Sequence, residues 1–429
     1  DPRGEGEPVD DEGHGDGDPR PLEVGGGGRR VHRGSFRREQ AGITLSNRFD
    51  DRFLDRPTRE VVASADPPHR GAETVTDRSR PTLATVAARA EVASSTASLV
   101  FSGSARVAPS TRERVLAAAA ELGYAGPDPV ARSLRSRRSG VVGAVIGERL
   151  AYAFSDPVSV QLLDGVTEVL SPLGVGLLLL PGDADRHGPT LAQLAHVPLD
   201  AVVYATCGLE DDPALEHLQR RGVPIVAVDG PRLDDLVFVG IQDRRGTVEL
   251  TRHLTDLGHR RVAVVALPLR LDGTRGPVTP ERRARVHFLD VRERALGVEE
   301  VLGPVPLWET AANAVEEGER AGRALLDVPA DERPTAVVAQ SDILAAGVLR
   351  AAEALGLRVP EDVSVAGFDG AELPWLPPVR LTTVVQPTTE KGRVVGRAVT
   401  DLVAGRRPDD VVLDVHLSVG TTTGPAPRS

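Results

Sequence analysis

The 429-residue chain is 40% hydrophobic but only 3% aromatic, so its cores must be built from Val, Leu, Ala and Ile, and its length allows roughly two to three folded units. A single cysteine, Cys207, excludes an internal disulfide and a cysteine zinc cluster; no apolar run approaches the ~18–20 residues that span a membrane, and no secretory signal pattern opens the chain, which reads as cytoplasmic. The net charge of −11 argues against a nucleic-acid partner at first sight, but Arg80–Gly140 holds nine arginines against Glu91, Glu113, Glu121 and Asp128, a local +5 that leaves −16 on the remainder.

Residues 1–79 are rich in Gly, Asp, Glu, Arg and Pro and hold few periodic apolar positions. Such a stretch buries too little surface to offset its ordering entropy and reads as a disordered low-complexity tail. From Pro81 the pattern changes. Thr82 is placed to cap a helix whose buried face is Leu83, Val86, Ala87 and Ala90. A break at Glu91-Val92 separates it from a second short helix, Ala93 to about Phe101, and Gly103 marks a loop. Ser110 with Glu113 has the spacing of a capping box for a third helix, Thr111–Leu122, which Gly123 ends. Three short helices with a tight turn between the first two predict a helix-turn-helix unit over residues 80–126.

Pro127-Asp128-Pro129 breaks the chain, and residues 127–139 read as a hinge or linker with one or two helical turns. Beyond Gly140, apolar runs of strand length recur at Val141–Ile146, Leu177–Leu180, Ala201–Ala205, Pro224–Val228, Val262–Leu267, Thr335–Ala339 and Val363–Gly367. Amphipathic helical stretches separate most of them, among them Val158–Leu170, Thr247–Leu257, Asp342–Leu355 and Thr389–Val403. This alternation predicts parallel sheets covered by helices. Residues 140–429 exceed one such layer, which implies two lobes with a ligand cleft at the carboxyl ends of the strands.

Several ordered segments resemble the lactose-repressor (LacI/GalR-type) family. In the head they are Thr82-Leu83-Ala84-Thr85-Val86-Ala87, Val92-Ala93-Ser94-Ser95-Thr96-Ala97-Ser98, Thr111-Arg112-Glu113-Arg114-Val115 and Leu122-Gly123-Tyr124; in the body, Leu257-Gly258-His259-Arg260-Arg261, Ser341-Asp342, Val363-Ser364-Val365-Ala366-Gly367-Phe368-Asp369 and Leu381-Thr382-Thr383-Val384. The resemblance implies an N-terminal all-α helix-turn-helix head on a two-lobed α/β, periplasmic-binding-protein-like effector and dimerisation domain. It implies a transcriptional regulator, expected to be a repressor, that binds a pseudo-palindromic double-stranded DNA operator as a homodimer under control of a small, sugar-like effector. Thr82, Ser94, Ser95, Thr96 and Ser98 become the residues facing DNA, although serines on a helix surface also serve simply to solvate it. Ala131, Arg132, Leu134 and Arg135 match a hinge helix whose leucine wedges into the minor groove; a plain basic linker is the alternative. Ala93, Leu99, Ser102 and Asp128 depart from the family pattern, which usually has Ser, Arg, Asn and Asn there.

In the body the resemblance points to Phe154, Asp229, Arg294, Asn313, Asp342 and Gln386 as effector-binding. Three of them have a plainer role to weigh against this: Asp342 as a helix N-cap, Arg294 as a surface salt bridge, Phe154 as core. No phosphate loop, dinucleotide fingerprint, nucleophile elbow or H-E-x-x-H motif occurs, so the reading assigns no catalytic residue, cofactor or metal. Two other functions stay open at this stage: a solute-binding module without DNA binding, and an α/β enzyme acting on a sugar or nucleotide.

Overall fold

The computed structural model describes residues 81–128, 133, 138–147, 149–182, 188–206, 208, 212–373 and 379–427. The tail 1–79 and the hinge residues Ala131, Arg132, Leu134 and Arg135 lie outside the described residues.

The head is built from α1 (Leu83–Arg89), α2 (Ser94–Phe101) and α3 (Pro109–Leu122). Its core is small and aliphatic: Val86, Ala97 and Val115 are fully buried, and Phe101 meets Tyr124 edge-on at 5.4 Å. At ~1.5–3 kcal/mol for each large apolar side chain buried, few residues carry this unit. Arg89 adds a tie from α1 to Glu121 on α3 at 2.8 Å. Thr82 caps α1 as the sequence predicts, in a reciprocal box with Thr85. The box predicted at Ser110 does not form. Pro109 enters at the first helical position, where its fixed φ suits a helix start, so α3 begins before Ser110 and Ala108 is the N-cap with no side-chain bond. Gly123 closes α3 in the left-handed conformation, at φ 66°.

The body alternates β1 (Val141–Ile146), α4 (Leu150–Ala153), α5 (Pro157–Leu170), β2 (Gly176–Pro181), α6 (Leu191–Ala195), β3 (Ala201–Ala205), α7 (Pro213–Arg220), β4 (Ile225–Val228), β5 (Val237–Ile241) and α8 (Asp243–Asp256). It continues through β6 (Val262–Ala266), β7 (Gly276–Pro277), α9 (Pro280–Arg283), α10 (Leu289–Leu302), β8 (Leu307–Glu309), α11 (Val315–Leu326), β9 (Ala336–Ala339), α12 (Asp342–Ala354), β10 (Ser364–Asp369), β11 (Thr382–Val385), α13 (Thr388–Val403), β12 (Val411–Leu413) and β13 (His416–Ser418). Two sheets result. The first has the order β12-β5-β4-β3-β1-β2 and is parallel throughout. The second has the order β13-β11-β10-β9-β6-β8-β7, parallel except for the antiparallel pairs β11/β13 and β7/β8 at its edges.

The central strands are mostly apolar and buried because both faces are covered. The chain crosses between sheets three times. After β5, α8 joins the second sheet's core through Leu250 and Leu254; after β11, α13 returns to the first through Val395, Ala398 and Val399; after β12 the chain goes back to β13. The return of α13 depends on small residues. A Cβ at Gly165 of α5 would collide with the Thr389 carbonyl, and one at Gly392 of α13 with the Leu162 carbonyl. That close approach fixes where Lys391, next in sequence to Gly392, enters the interior.

Candidate functional site

On the head, Ser94 and Ser95 are exposed at the start of α2, while Thr96 and Ser98 are half-buried beside the core residue Ala97. Ala93 offers no side-chain cap, so the backbone N–H groups of the first turn, together with the two serine hydroxyls, are left available at this end. Thr82 is exposed, although its hydroxyl is already engaged in the α1 cap. Behind α2, Arg112 binds the Ser104 carbonyl at 2.6 Å and the Val100 carbonyl at 3.4 Å, tying the loop after α2 to α3.

In the body, a cavity of about 190 Å³ is lined from both sheets. The first sheet contributes Ile146 and Gly147, Ala205 and Thr206, and Val228 and Asp229, which follow the carboxyl ends of β1, β3 and β4. The second contributes Leu267 after β6, Ser341 after β9, Asp369 at the end of β10 and Gln386 after β11. This is the cleft expected where two open α/β sheets present their strand ends to each other. Of the residues singled out in the sequence, Asp229, Arg294, Asn313 and Gln386 come together here, whereas Phe154 and Asp342 are not in the lining. Phe154 is 58% exposed just beyond α4. Asp342 lies one layer back, where Oδ1 accepts the Thr383 hydroxyl at 2.6 Å and Oδ2 the Ala371 N–H at 2.7 Å. Nor does Asp342 cap α12. That role falls to Ser341, whose Oγ accepts the Leu344 N–H while its hydroxyl donates to Asn313 Oδ1 at 2.5 Å.

The polar wall is a network around two cations. The Arg294 guanidinium donates to Asp243 at 2.8 Å and to the Gln340 carbonyl at 2.6 Å, stands 3.6 Å from Asp369, and lies 3.8 Å over the Phe368 ring. Lys391 donates to Asp229 Oδ2 at 2.6 Å and Gln386 Oε1 at 2.9 Å; Gln386 in turn donates to Asp369 at 2.8 Å. Asp156 caps α5 through the Val158 N–H and the Ser159 hydroxyl. Asp290, in the first turn of α10, completes the lining. Asp156, Asp243, Asp290 and Lys391 were not foreseen. They are scattered through the sequence, and only the crossovers bring them together; the rarity of Lys391 was the one visible signal.

Burial pushes the carboxyls of Asp156, Asp290 and Asp369 upward, and that of Asp243 up to about 6, with the Arg294 charge opposing the rise for the last three. Asp342 is pushed up to about 7 by burial against the pull of its hydrogen bonds. Burial alone would lower the Arg294 pKa, but Asp243, Asp369 and Asp290 hold it above the usual arginine value. A buried site with more carboxyls than cations is a setting for binding a donor-rich ligand.

The segment 269–290 contributes Leu271, Phe288 and Asp290 to the lining of this site. It holds β7 and α9, and it is clasped by Arg282, which bonds Asp272 at 2.6 Å and the fully buried Glu309 at 2.6 Å. Glu309 also accepts the Leu269 N–H at 2.8 Å, so Leu271 and Phe288 are held against the cavity.

A three-helix DNA-binding head on a two-sheet body with an inter-sheet cavity defines the class of ligand-controlled transcriptional regulators. Two family models match: bacterial regulatory proteins of the lacI family over residues 82–126, and the periplasmic binding protein-like domain over residues 251–423. The HTH-type transcriptional regulator Rv3575c of Mycobacterium tuberculosis is 37% identical over 357 residues, which covers 82% of this chain and 99% of that protein. The chain therefore belongs to the lacI family of DNA-binding transcriptional regulators. Among solved structures, the complex of the transcriptional regulator CelR with cellobiose is 30% identical, with a TM-score of 0.56 over 80% of this chain and 100% of that one. The lac repressor dimer bound to operator shares the fold, with a TM-score of 0.65 at 24% identity over 80% of this chain and 99% of that one.

Proposed function

We propose that this regulator is a repressor that binds a pseudo-palindromic operator as a homodimer and is controlled by a small, sugar-like effector held between its two sheets. The observation that carries this reading is the cavity, where Asp229, Arg294, Asn313 and Gln386 converge from both sheets. A ligand touching both sheets has different contacts when they move apart, which is the requirement for shifting a conformational equilibrium. The CelR–cellobiose structure supports a sugar as the effector class. On the head, Thr82, Ser94, Ser95, Thr96 and Ser98 face the DNA, and Ala131, Arg132, Leu134 and Arg135 form the minor-groove hinge. The chain acts by binding rather than by turnover, in the cytoplasm. Among the described residues no helix is long and apolar enough to cross a membrane.

The test is selection of bound duplexes from a random DNA library by the full chain, with and without added sugars. The expected result is an enriched inverted repeat whose retention weakens steeply with salt and changes when the effector is present. A folded protein that enriches no sequence at low salt refutes the reading.

A further inference from the structure

The inference concerns the charge of the effector and rests on reading the cavity as the effector site. Four carboxyls line it, on Asp156, Asp229, Asp290 and Asp369, against the cations of Arg294 and Lys391. Both cations are already engaged by protein. Arg294 is held by Asp243, Asp369 and the Gln340 carbonyl, and Lys391 by Asp229 and Gln386. Asp156 is satisfied by the first turn of α5, and one oxygen of Asp369 accepts from Gln386. Asp290 stands apart. It lines the cavity, is only 8% exposed, and its Oδ1 has no hydrogen-bond partner; the same is true of Oδ1 of Asp229, although Oδ2 of that residue holds Lys391.

An acceptor without a donor in a buried site costs free energy and marks a place where a ligand group belongs. Asp290, on α10 packed against the second sheet, and Asp229, after β4 of the first, come from opposite sides of the cavity. Asp229 is held at φ 56°, a strained conformation for a residue with a Cβ, which turns the chain immediately after β4. Leu271, Phe288 and Val291 line the same cavity without a donor side chain, and the Arg294 and Lys391 charges act on Asp290 without bonding its Oδ1. A hydroxyl brings one donor to such a place. An ammonium group brings three donors and a charge of the sign that the site lacks.

We infer that the effector is a polyol bearing a protonated amine, an amino sugar, whose ammonium group sits between Asp290 and Asp229. The polyol part meets Arg294, Asn313 and Gln386, and the ammonium joins the two sides of the cavity through a carboxylate of each. Closure of the cleft is then tied to the charge of the ligand, so a neutral analogue binds without closing it to the same extent.

The experiment is titration calorimetry on the full chain with two isosteric pairs, glucose against glucosamine and cellobiose against the β-1,4-linked disaccharide of glucosamine. The expected result is at least tenfold tighter binding of the amine in one pair. In Asp290→Asn that advantage falls to within twofold, read as the ratio of the two affinities within each pair. Asp290→Ser serves as a second variant, and unfolding curves establish that both are folded. Neutral sugars that bind as tightly as the amines, or an amine preference that survives in both variants, overturn the charge assignment but leave the sugar-effector reading standing. Failure of every probe overturns the charge assignment together with the cavity as a sugar site.

Discussion

Replacing Lys391 with methionine isolates the interaction that joins α13 to the end of β4. The side chain is 1% exposed, and its ammonium group lies 2.6 Å from Asp229, whose own side chain is 15% exposed. Methionine conserves much of the volume, so the transfer and packing terms change little. What changes is the charge balance: Asp229 keeps its carboxylate but loses the cation that accompanies it, and Gln386 loses a donor. Breaking one side of a buried ion pair costs about 3–5 kcal/mol, mostly from the stranded partner. The partial exposure of Asp229 places the expectation at the lower end, about 3 kcal/mol. The double variant Lys391→Met with Asp229→Asn removes the stranded charge and should recover more than half of that loss. Urea denaturation of the three proteins measures both quantities. A single variant that loses under about 1 kcal/mol, or a double variant no better than the single, refutes the argument that this pair is a dependent unit.

Two further outcomes are expected. Gly392→Ala forces a methyl group against the Leu162 carbonyl where α13 crosses α5, and it should destabilise the protein by about 1–3 kcal/mol in the same denaturation assay; a change under 0.5 kcal/mol, the size expected of a surface substitution, would show that the helices have room to separate. Asp342 titrates near 7 when folded, against 3.8 in an ordinary setting. The native state therefore holds its proton more tightly than the unfolded chain, and the stability that this supplies is present below about pH 4 and lost progressively as pH rises to about 7. Asp342→Asn should flatten the fall in unfolding free energy between about pH 4 and 7. At pH 5 it should lie within about 1 kcal/mol of the parent, because its amide oxygen can accept the Ala371 N–H while its N–H₂ donates to the Thr383 hydroxyl oxygen. Parallel pH curves for parent and variant would show that Asp342 is not the titrating group.

The sequence displayed the fold where a single local rule decided it. β1, β3, β4, β6, β9 and β10 are apolar runs, because central parallel strands are covered on both faces, and they lie within a residue or two of their expected places. The short strands at and next to the sheet edges were not expected. β8, β12 and β13 each carry three residues, and β12 and β13 are only partly buried, so no apolar run announces them. β5 lies outside the expected strands although Val237–Ile241 is an apolar run as clear as the others. At Ser110 two local rules competed, and the proline start prevailed over the capping box. Asp229, Arg294, Asn313 and Gln386 were accessible through resemblance to a family, since motif and position travel together. Asp156, Asp290 and Lys391 were not, because each becomes part of the site only through helix packing and the return of α13 to the first sheet.

The only lysine of the chain is also one of its most enclosed side chains. Every other side-chain cation is a guanidinium or an imidazole, so acylating reagents selective for primary amines find no competing lysine anywhere on the surface. Their reaction with Lys391 requires that the sheets part, or that α13 lift, far enough to release its ammonium group from Asp229 and Gln386. The rate of acylation at that one position, followed by mass spectrometry, is thus a clock for opening of the cleft. It needs no introduced label, and a ligand that closes the cleft should slow it.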